Sequence, residues 1–401
     1  MNVLIINKFL HPKGGSETYI RTLGKCLEDH GHGVQYFGMD HPDRVLGNRV
    51  GAYTEQMDFH GRANLLYGLK TIYSPEARRK LRLVLEDFQP DVCHLNNFHY
   101  QLTPSILLEI RKWQQEKDRC CRIIMTAHDY QLVCPNHMCY DISRGEACEK
   151  CLEGNFFSCI RGRCIHGSAV KSAVGALEAT IWNRIGIYRH IDAIICCSRF
   201  LKERLDRNPG FVGKTVVMHN FVRDSMWKRT EKQEYVLYFG RYTREKGLDL
   251  LLDAAKALPH VSFVFAGDGP LAGEIPDLPN IRNMGFLQGE TLEKWIREAI
   301  FTVYPSRWQE NCPLSVLESL ALGTPVLAAR SGGLPELIQE GVTGELFETG
   351  NAGQLEKKLL ALWEDRERSA RYAENCRQTA AMTRERYYEN LMHLYMGKGE
   401  P

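Results

Sequence analysis

The sequence is poor in the features that mark membrane-spanning, low-complexity and nucleic-acid-binding proteins. No stretch approaches the roughly 18 consecutive apolar residues of a membrane span, and neither an internal repeat nor a low-complexity tract is present. The 51 basic residues nearly balance the 49 acidic ones, which leaves a formal net charge of +2. Because nucleic-acid binders usually carry a strongly basic face, the chain is not expected to bind nucleic acid.

The remaining composition is that of an ordinary globular protein. The 401 residues, 44% hydrophobic and 25% charged, predict about two domains. Residues 1–7 lack the charged region of a signal peptide and are typical of a buried first strand. We therefore expect a cytoplasmic protein, with peripheral attachment to the inner face of the cell membrane as the alternative.

Short apolar runs alternate with longer amphipathic segments along almost the whole chain, and the alternation restarts after about residue 230. Repeated βα alternation predicts parallel sheets covered by helices on both faces. Two such series predict an α/β protein with two doubly wound domains and a cleft between the strand ends. The predicted strands are 3–6, 34–37, 92–95, 122–126, 193–197, 215–218, 235–239, 261–266, 281–284, 300–304 and 325–328, and the predicted helices are 17–29, 101–116, 168–190, 199–206, 246–258, 289–298, 313–322, 333–340 and 353–365.

The segment from Ser306 to Glu318 carries the most informative chemistry. Pro313 opens an apolar run, and proline is favoured at the first position of a helix. A helix that starts there offers free N–H groups and a partial positive charge, which suit a phosphate. Glu310 before the helix and Glu318 inside it carry carboxylates, which suit the hydroxyls of a sugar and a ribose. The segment therefore predicts a nucleotide-sugar site.

Two cations stand in a turn of the second βα series. Arg241 and Lys246 follow a predicted strand and precede a predicted helix, at the edge where doubly wound domains bind ligands. Arg presents a planar fork and Lys a point charge, so the two can converge on a diphosphate and stabilise its departure without a metal. The alternative is a solvated surface pair. Neighbouring turns add Gly267, Asp268 and, as a nucleobase wall, Phe286.

Two motifs of the first series also stand at strand ends. Gly14 and Gly15 let a backbone approach a phosphate or a sugar closely; a plain βα turn is the alternative. His128 can hydrogen-bond a sugar hydroxyl or position an acceptor; a histidine satisfied by local backbone, beside Asp129 as a turn cap, is the alternative. For His94, at a similar strand end, packing is the expected role.

With these motifs in this order, nearly the whole chain resembles the retaining nucleotide-sugar glycosyltransferases of family 4, also described as glycosyl transferases group 1, which have the two-domain GT-B fold. The resemblance rests on Gly14-Gly15, Thr126-x-His128-Asp129, Gly240-Arg241-x4-Lys246-Gly247, Ala266-Gly267-Asp268-Gly269-Pro270, Glu310-x7-Glu318 and Ser331-Gly332-Gly333-x-Pro335-Glu336.

The resemblance implies a role for each site residue. It implies that Arg241 and Lys246 bind the donor diphosphate and that Glu318 binds the ribose. Glu310 is implied to hold the donor sugar, with Gly15 closing over the phosphate from the first domain. His128 is implied to lie beside the sugar and the acceptor. The four residues implied to take part in the reaction are His128, Glu310, Arg241 and Lys246.

The chain departs from the family pattern directly after Glu310. The family often has an aromatic residue and a glycine there, whereas this chain has Asn311-Cys312-Pro313-Leu314. Pro313 has no N–H to donate. We therefore expect the phosphate contacts to come from its neighbours, and the predicted set is Asn311, Cys312, Leu314 and Ser315.

Turn residues at 208–210 and a polar linker at 229–234 predict the domain boundary near 210–232; the resemblance adds where the chain ends. The final helix is implied to cross back to the first domain. The predicted limits are 1–212 together with 383–401 for the first, acceptor-side domain, and 213–382 for the second, donor-binding domain. A Cys-rich insert occupies 134–164 of the first domain.

The insert contains six of the 14 cysteines, in the order Cys134, Cys139, Cys148, Cys151, Cys159 and Cys164. Four thiolates suit tetrahedral zinc, which would order a stretch too polar to fold alone. The predicted structural zinc ligands are Cys148, Cys151, Cys159 and Cys164, with Cys134 as a substitute. An iron–sulfur cluster, reduced cysteines or a disulfide in a surface loop are alternatives. A subset of the resembled family has a similar insert, which we expect to shape the acceptor pocket.

We predict a glycosyltransferase that uses no cofactor for its chemistry. It is expected to move a sugar, with retention, from a UDP- or GDP-linked donor to a saccharide or lipid-linked saccharide in surface polysaccharide synthesis. The basic and apolar residues of 62–82 and of the helix at 168–190, including Trp182, Ile185 and Ile187, fit an anionic membrane surface; a solvated helix face is the alternative. The rival functions are a nucleotide-sugar epimerase on the same fold and a zinc-knuckle binding protein.

Overall fold

The chain divides into two compact units. The computed structural model describes residues 1–57, 65–222, 230–378 and 383–398. Unit 1 comprises Met1–Ser143, Cys148–His219 and Glu385–Pro401, and unit 2 comprises Arg144–Ala147 and Asn220–Arg384. The change of unit between His219 and Asn220 lies a few residues beyond the predicted limit of 212, because the last strand of unit 1 ends only at Val217. The second predicted limit follows residue 382, which lies outside the described residues.

Unit 1 is built on a six-stranded parallel sheet in the order β2-β1-β3-β4-β7-β8. Its strands are short apolar runs with both faces covered, so they lack the alternating pattern of half-exposed strands. The strands of this sheet are β1 Asn2–Ile6, β2 Gly33–Phe37, β3 Val92–Leu95, β4 Arg122–Ala127, β7 Ala193–Cys196 and β8 Thr215–Val217. Two further short strands, β5 Tyr140–Asp141 and β6 Glu146–Ala147, form a separate two-stranded sheet.

The helices of unit 1 bury one face against this sheet and one another. The side chain of Ser74 caps the helix that begins at Pro75 by accepting from the Ala77 N–H, a start signal that our sequence analysis overlooked within the segment 62–82. Residues 62–64 of that segment lie outside the described residues. The helices are α1 Gly15–Asp29, α2 Leu65–Ile72, α3 Pro75–Phe88, α4 Ser105–Lys117, α5 Phe157–Arg161, α6 Ala169–Ile185 and α7 Arg199–Leu205.

Unit 2 has a second six-stranded parallel sheet, in the order β11-β10-β9-β12-β13-β14. This is the order 3-2-1-4-5-6 of a doubly wound nucleotide-binding fold. The strands are β9 Val236–Arg241, β10 Phe263–Asp268, β11 Ile281–Asn283, β12 Phe301–Tyr304, β13 Val326–Ala329 and β14 Gly344–Phe347. The helices are α8 Leu248–Ala257, α9 Gly289–Glu298, α10 Leu314–Ala321, α11 Leu334–Leu337, α12 Ala352–Glu364 and α13 Arg366–Gln378.

Some elements of unit 2 differ from the prediction. The predicted helix 333–340 contracts to Leu334–Leu337, because the chain turns extended at Ile338 to enter the bend before β14. Strand β14 and helix α13 were not predicted. Their signals are weak, since β14 is four residues long and α13 is mostly polar in sequence.

The last helix, α14 Arg384–Tyr395, is anchored in the core of unit 1. The hydroxyl of Tyr387 lies 2.6 Å from that of Tyr19 on α1, and the hydroxyl of Tyr395 lies 2.6 Å from His94 Nδ1 on β3. Thr126 Oγ1 on β4 completes the network, 3.1 Å from the Tyr19 hydroxyl and 2.8 Å from His94 Nε2. The packing role predicted for His94 is thus to join the final helix to two strands.

In the described part of the chain, no helix combines the length and the apolar character required to cross a bilayer.

In each unit the strand order reverses at one place, where ligands of doubly wound sheets bind beyond the carboxyl ends of the strands. In unit 1 this place lies between β1 and β3, and in unit 2 it lies between β9 and β12. The polar residues that follow these strands therefore form the candidate functional site of each unit.

Candidate active site

A buried ion pair lies beyond β9 and β12. Lys246 Nζ donates to Glu310 Oε1 at 2.6 Å, and Ser306 Oγ donates to the same oxygen at 2.6 Å. The side chain of Glu310 is only 4% exposed and that of Lys246 15% exposed. Two charges are stable at such depth because each neutralises the other and both have hydrogen-bond partners.

The surroundings of Lys246 hold its ammonium in place. Its Nζ lies 3.4 Å from the Tyr304 hydroxyl, and 4.9 Å from the centre of the Trp308 ring, whose face attracts a cation. Burial alone would lower the pKa of Lys246, but the Glu310 carboxylate and the Tyr304 hydroxyl together outweigh this effect, and the pKa is raised. Lys246 is therefore a fixed positive charge at neutral pH.

Glycines allow the loops around this pair to approach closely. Gly247 has φ +73°, and a Cβ there would lie 2.0 Å from the Pro305 carbonyl oxygen. Gly332 has φ +58°, and a Cβ there would lie 2.0 Å from the Glu310 carbonyl oxygen, which accepts from the Gly333 N–H at 2.7 Å. The turn Ser331-Gly332-Gly333 thus holds the backbone of Glu310, a contact that its spacing in the sequence did not reveal.

Helix α10 begins one residue later than predicted. Pro313 is the N-cap, with extended backbone at φ −67° and ψ 126°, and the first helical residue is Leu314. The carbonyl of Pro313 accepts from the N–H groups of Val316 and Leu317. The helix geometry leaves the first-turn N–H groups of Leu314 and Ser315 to bind a ligand, and Glu318 lies half-buried one turn further along.

Cys312 has a structural partner at the start of unit 2. Its sulfur accepts from the Asn220 N–H at 3.3 Å, and its carbonyl accepts from Asn220 Nδ2 at 2.9 Å. Burial raises the pKa of the Cys312 thiol to about 12, so the thiol stays protonated. Asn311 beside it is buried. The residues in place of the family's aromatic–glycine pair therefore anchor the loop before α10.

The other predicted donor residues of unit 2 lie at the ends of β9, β10 and β11. Arg241 is exposed as the last residue of β9, in register with Asp268 at the end of β10. A Cβ on Gly267 would lie 1.9 Å from the Gly240 carbonyl oxygen, so this glycine is required by strand packing. Phe286, beyond β11, is 70% exposed, which leaves an aromatic face open to a planar ligand.

The Gly14–Gly15 turn of unit 1 contains a carboxylate that our sequence analysis missed. Gly14 is the N-cap of α1, and a Cβ on Gly15 would meet no atom within 4 Å. Glu17, buried in the first turn of α1, accepts at Oε1 from Ser16 Oγ at 2.8 Å and Asn7 Nδ2 at 3.0 Å. The Glu17 carboxylate offsets the partial positive charge at the N-terminus of α1. The turn therefore suits the hydroxyl groups of a ligand better than an anion.

His128 follows β4 and is held by two side chains. Its Nε2 lies 2.9 Å from Asn96 Oδ1 beyond β3, and its ring meets the edge of Tyr19 at 4.8 Å between centroids. Burial lowers the pKa of His128 to about 4, although Asp129 opposes the shift. The imidazole is therefore neutral at pH 7, and Nε2–H donates to Asn96. Asn96 was missed because a lone amide after a strand carries little signal.

Lys8, directly after β1, is a further group that the sequence did not single out. Burial lowers its pKa, while Asp129 and Glu17 raise it. The backbone N–H of Lys8 donates to the Asn97 carbonyl at 2.7 Å, which links the ends of β1 and β3. Unit 1 thus gathers an ammonium, two carboxylates and a neutral imidazole beyond neighbouring strands, a combination that suits a polyhydroxylated ligand.

The predicted zinc ligands are not arranged to hold a metal. Among the described residues, no three His, Cys, Asp or Glu side chains form a group that could bind a metal ion. Cys148, Cys151, Cys159 and Cys164 do line one small cavity, together with Cys134 and Cys139. Proximity in a cavity is not coordination geometry, which requires the ligands to converge on one point. The structure therefore does not support the predicted zinc set.

Two family models match the chain. The model Glycosyltransferase Family 4 matches residues 13–225, more than half of the chain, and the model Glycosyl transferases group 1 matches residues 224–379. Neither rival function, the epimerase or the zinc-knuckle protein, finds support in these matches.

Two relatives and one solved structure show the extent of the similarity. An uncharacterized glycosyltransferase of Methanocaldococcus jannaschii is 31% identical over 190 residues, 46% of this chain and 53% of the relative, so the chain matches about half the length of that protein. An uncharacterized 42.6 kDa protein in the cps region of Klebsiella pneumoniae is 23% identical over 357 residues, 84% of this chain and 87% of the relative. HepE of Anabaena, solved in complex with UDP and glucose, has a TM-score of 0.69 at 15% identity and covers 99% of this chain and 100% of its own. This likeness confirms the predicted GT-B fold.

The buried histidines of unit 1 are expected to make the protein less stable in acid. Burial lowers the pKa of His94 and His99 to about 3 and that of His128 to about 4, against an ordinary value of about 6.5. Below about pH 6.5 the unfolded chain takes up protons that the folded unit does not. Stability is therefore lost as the pH falls from 6.5 toward 4, by up to about 1.4 kcal/mol per histidine for each pH unit.

The measurement is the thermal unfolding midpoint at several pH values between about 7 and 5. His94→Gln removes one group that takes up a proton on unfolding, so its midpoint should fall less steeply with pH than that of the wild type. His260→Gln, at an exposed position of unit 2, should fall like the wild type. Equal slopes for His94→Gln and the wild type would show that other groups cause the acid sensitivity.

Proposed function

The chain belongs to glycosyltransferase family 4, and on that premise we propose that it transfers a sugar from a nucleoside-diphosphate donor to a saccharide acceptor, with retention and without a catalytic metal. The observation that carries this proposal is the buried Lys246–Glu310 pair beyond β9 and β12. It places a fixed cation and a carboxylate beside the first turn of α10, where a sugar diphosphate needs both.

On the donor side, three sources of positive charge face the diphosphate. We assign its oxygens to Lys246, Arg241 and the N–H groups of Leu314 and Ser315, which together stabilise the charge that builds on the departing nucleoside diphosphate. Lys246 is already desolvated and oriented by Glu310, so little rearrangement is required when the bond to the sugar breaks. This supply of charge is the basis for proposing metal independence.

Carboxylates on either side of the diphosphate select the sugar and the ribose. Both hydrogen bonds described for the Glu310 carboxylate go to Oε1, so we assign Oε2 to the hydroxyls of the donor sugar. Glu318 takes the ribose hydroxyls, and the exposed ring of Phe286 lies against the base. Gly267, Asp268, Asn311 and Cys312 shape the turns that carry these groups.

On the acceptor side, we assign His128 to a hydroxyl of the sugar or the acceptor. Asn96 fixes its ring, and its low pKa keeps it neutral. Gly14 and Gly15 allow a close backbone approach by the ligand. In a retaining transfer, the acceptor hydroxyl attacks the face that the diphosphate leaves, so the new bond keeps the anomeric configuration of the donor.

The identity of the donor is supported by comparison. HepE, which shares the fold, was solved with UDP and glucose, and the Klebsiella relative is a protein in the cps region. We propose a UDP- or GDP-linked donor and a role in surface polysaccharide synthesis. Expected partners are this donor and a saccharide or lipid-linked saccharide.

Donor binding and stereochemistry test the proposal together. A thermal-shift series with UDP, GDP and their common sugar conjugates, in buffer with EDTA, should show one nucleotide-sugar raising the unfolding midpoint. NMR during slow hydrolysis of that donor, with water as acceptor, should show the free sugar first in the donor's own anomeric form. The inverted anomer would refute retention, and loss of turnover in EDTA that added metal restores would refute metal independence.

Removing either member of the ion pair should abolish transfer. We expect Lys246→Ala and Glu310→Gln to lower the rate at least about 100-fold, because a preorganised charge at the leaving group is lost. Lys256→Ala removes an exposed lysine of α8 and should leave the rate unchanged. Circular dichroism and the unfolding midpoint establish that each variant is folded at the assay temperature. A folded and active Lys246→Ala enzyme would exclude the proposed role.

A peripheral membrane contact is proposed at α6. Trp182 and Ile187 are buried in the core of unit 1, at 3% and 1% exposure. The Trp182 Nε1–H donates to the Ile72 carbonyl of α2. They are therefore unsuited to the lipid contact first assigned to them. The exposed residues Val170, Leu177 and Arg184 recur every seven positions and so share one helical face, an apolar and basic stripe that suits an anionic bilayer.

Liposome flotation measures this contact. The wild type should float with vesicles that contain an anionic phospholipid and remain behind with neutral vesicles. Leu177→Glu should lower the floated fraction several-fold, whereas Val342→Glu, at an exposed apolar position of unit 2, should not. If Leu177→Glu floats like the wild type, α6 does not carry the contact.

A further inference from the structure

The Cys-rich insert brings six thiols around one cavity. Its volume is about 20 Å³, close to the space of a single water molecule. We call the six residues that line it the thiol cluster: Cys134, Cys139, Cys148, Cys151, Cys159 and Cys164. All six are free cysteines. The described residues contain no group of three His, Cys, Asp or Glu side chains that could bind a metal ion. The chemistry of the cluster is therefore that of neighbouring thiols.

Within the thiol cluster, Cys159 and Cys164 are a close pair. Helix α5 ends at Arg161, and the chain turns back so that the Cys164 N–H donates to the Cys159 carbonyl at 3.2 Å. Arg163, inside the turn, has φ +47°. Both residues also line the same cavity of about 20 Å³, so little movement separates the two thiols from a covalent bond, which requires the two side chains to approach and rotate correctly.

The turn is shaped to hold the Cys164 sulfur in this position. A Cβ on Gly162 would lie 2.8 Å from Cys164 Sγ, closer than two such atoms can approach. Any other residue at position 162 would therefore displace the sulfur or the turn. Because Gly162 has no side chain, the Cys164 sulfur can occupy this position. This is a second observation, separate from the hydrogen bond across the turn.

The two thiols differ in their access to solvent. Cys159 is 1% exposed, whereas Cys164 is partly exposed. A dissolved reagent can thus reach Cys164 first, and only Cys164. Exposure of one thiol next to a buried partner is the arrangement in which exchange with an external disulfide proceeds in two ordered steps.

We propose that Cys159 and Cys164 form a dithiol site that exchanges with low-molecular-weight disulfides and closes to a Cys159–Cys164 disulfide. The thiolate of Cys164 attacks one sulfur of the external disulfide, which forms a mixed disulfide and releases one thiolate. The Cys159 thiol then loses its proton to solvent and attacks Cys164 Sγ, and the second external thiolate leaves. The protein loses two electrons and two protons, and the external disulfide is reduced to two thiols.

A second pair in the thiol cluster provides a matched comparison. Cys134 and Cys139 line the same cavity, but both are buried, at 9% and 1% exposure. Both pairs thus share the cavity, and they differ in their access to solvent. The proposal does not depend on the glycosyltransferase assignment, since it concerns thiols that have no part in the transfer.

The experiment uses the full chain with glutathione disulfide as the probe. After incubation, free thiols are blocked with N-ethylmaleimide in acid, and the peptides are mapped by mass spectrometry without reduction. The wild type should yield a peptide with a 159–164 cross-link that dithiothreitol removes, while Cys134 and Cys139 stay unlinked. Cys159→Ser should stop at a glutathione adduct on Cys164. Cys164→Ser should leave Cys159 unmodified, because it is buried.

Several outcomes would overturn the proposal. The absence of a 159–164 cross-link in wild type would do so, as would cross-links scattered among the six cysteines, which would indicate an unfolded insert. The same reaction run with a zinc-sensitive dye reports any metal. Release of zinc as the thiols react would show that the cluster binds metal instead. Cys120→Ser, at an exposed cysteine outside the insert, controls for general surface oxidation and should behave like wild type.

Discussion

The buried ion pair between Lys246 and Glu310 is the interaction on which the candidate site of unit 2 depends. Two charges at this depth are tolerated only as a pair, since either one alone would be left desolvated and without a partner. The surrounding structure serves this condition: Ser306 donates to the same carboxylate oxygen, and aromatic rings border the ammonium. Gly247 and Gly332 allow the two loops to approach. The pair thus presents a ligand with charges that are already oriented.

The parallel sheets explain why the functional groups gather where they do. In a parallel sheet all strands end at the same edge, so side chains that are distant in sequence become neighbours beyond that edge. In unit 2 this edge brings the turn after β9 to the loop after β12. In unit 1 it brings Asn96, after β3, to His128, after β4, and Lys8, after β1, to the same edge. The same edge carries different groups in the two units: a buried ion pair in unit 2, and a neutral imidazole near an ammonium and two carboxylates in unit 1.

Much of this could be predicted, because strand ends are marked in the sequence by the change from apolar runs to Gly and charged residues. Arg241, Lys246 and Glu310 were selected as candidate residues in this way, and the structure pairs Lys246 with Glu310. Residues that only hold another residue in place were not predicted. Asn96, Glu17 and Asn220, which holds Cys312, belong to no recognisable motif in the sequence. Trp182 was predicted to lie at the surface and is buried. An amphipathic pattern shows that a helix has an apolar face, but not which neighbouring element packs against that face. The zinc set found no support among the described residues, because the spacing between cysteines does not determine whether their sulfurs converge.

The sequence by itself determined the fold class, the family and the residues that begin each turn of the site. It did so because hydrophobic periodicity and motif order are local properties of the chain. The tertiary structure alone decided which charges pair, which histidines stay neutral and which thiols line one cavity. These depend on distances of a few ångströms between residues far apart in sequence, and on burial, which changes the free energy of a charge by several kcal/mol. Pro313 illustrates the division: its sequence position predicted a helix start, but the backbone of the fold made it the cap.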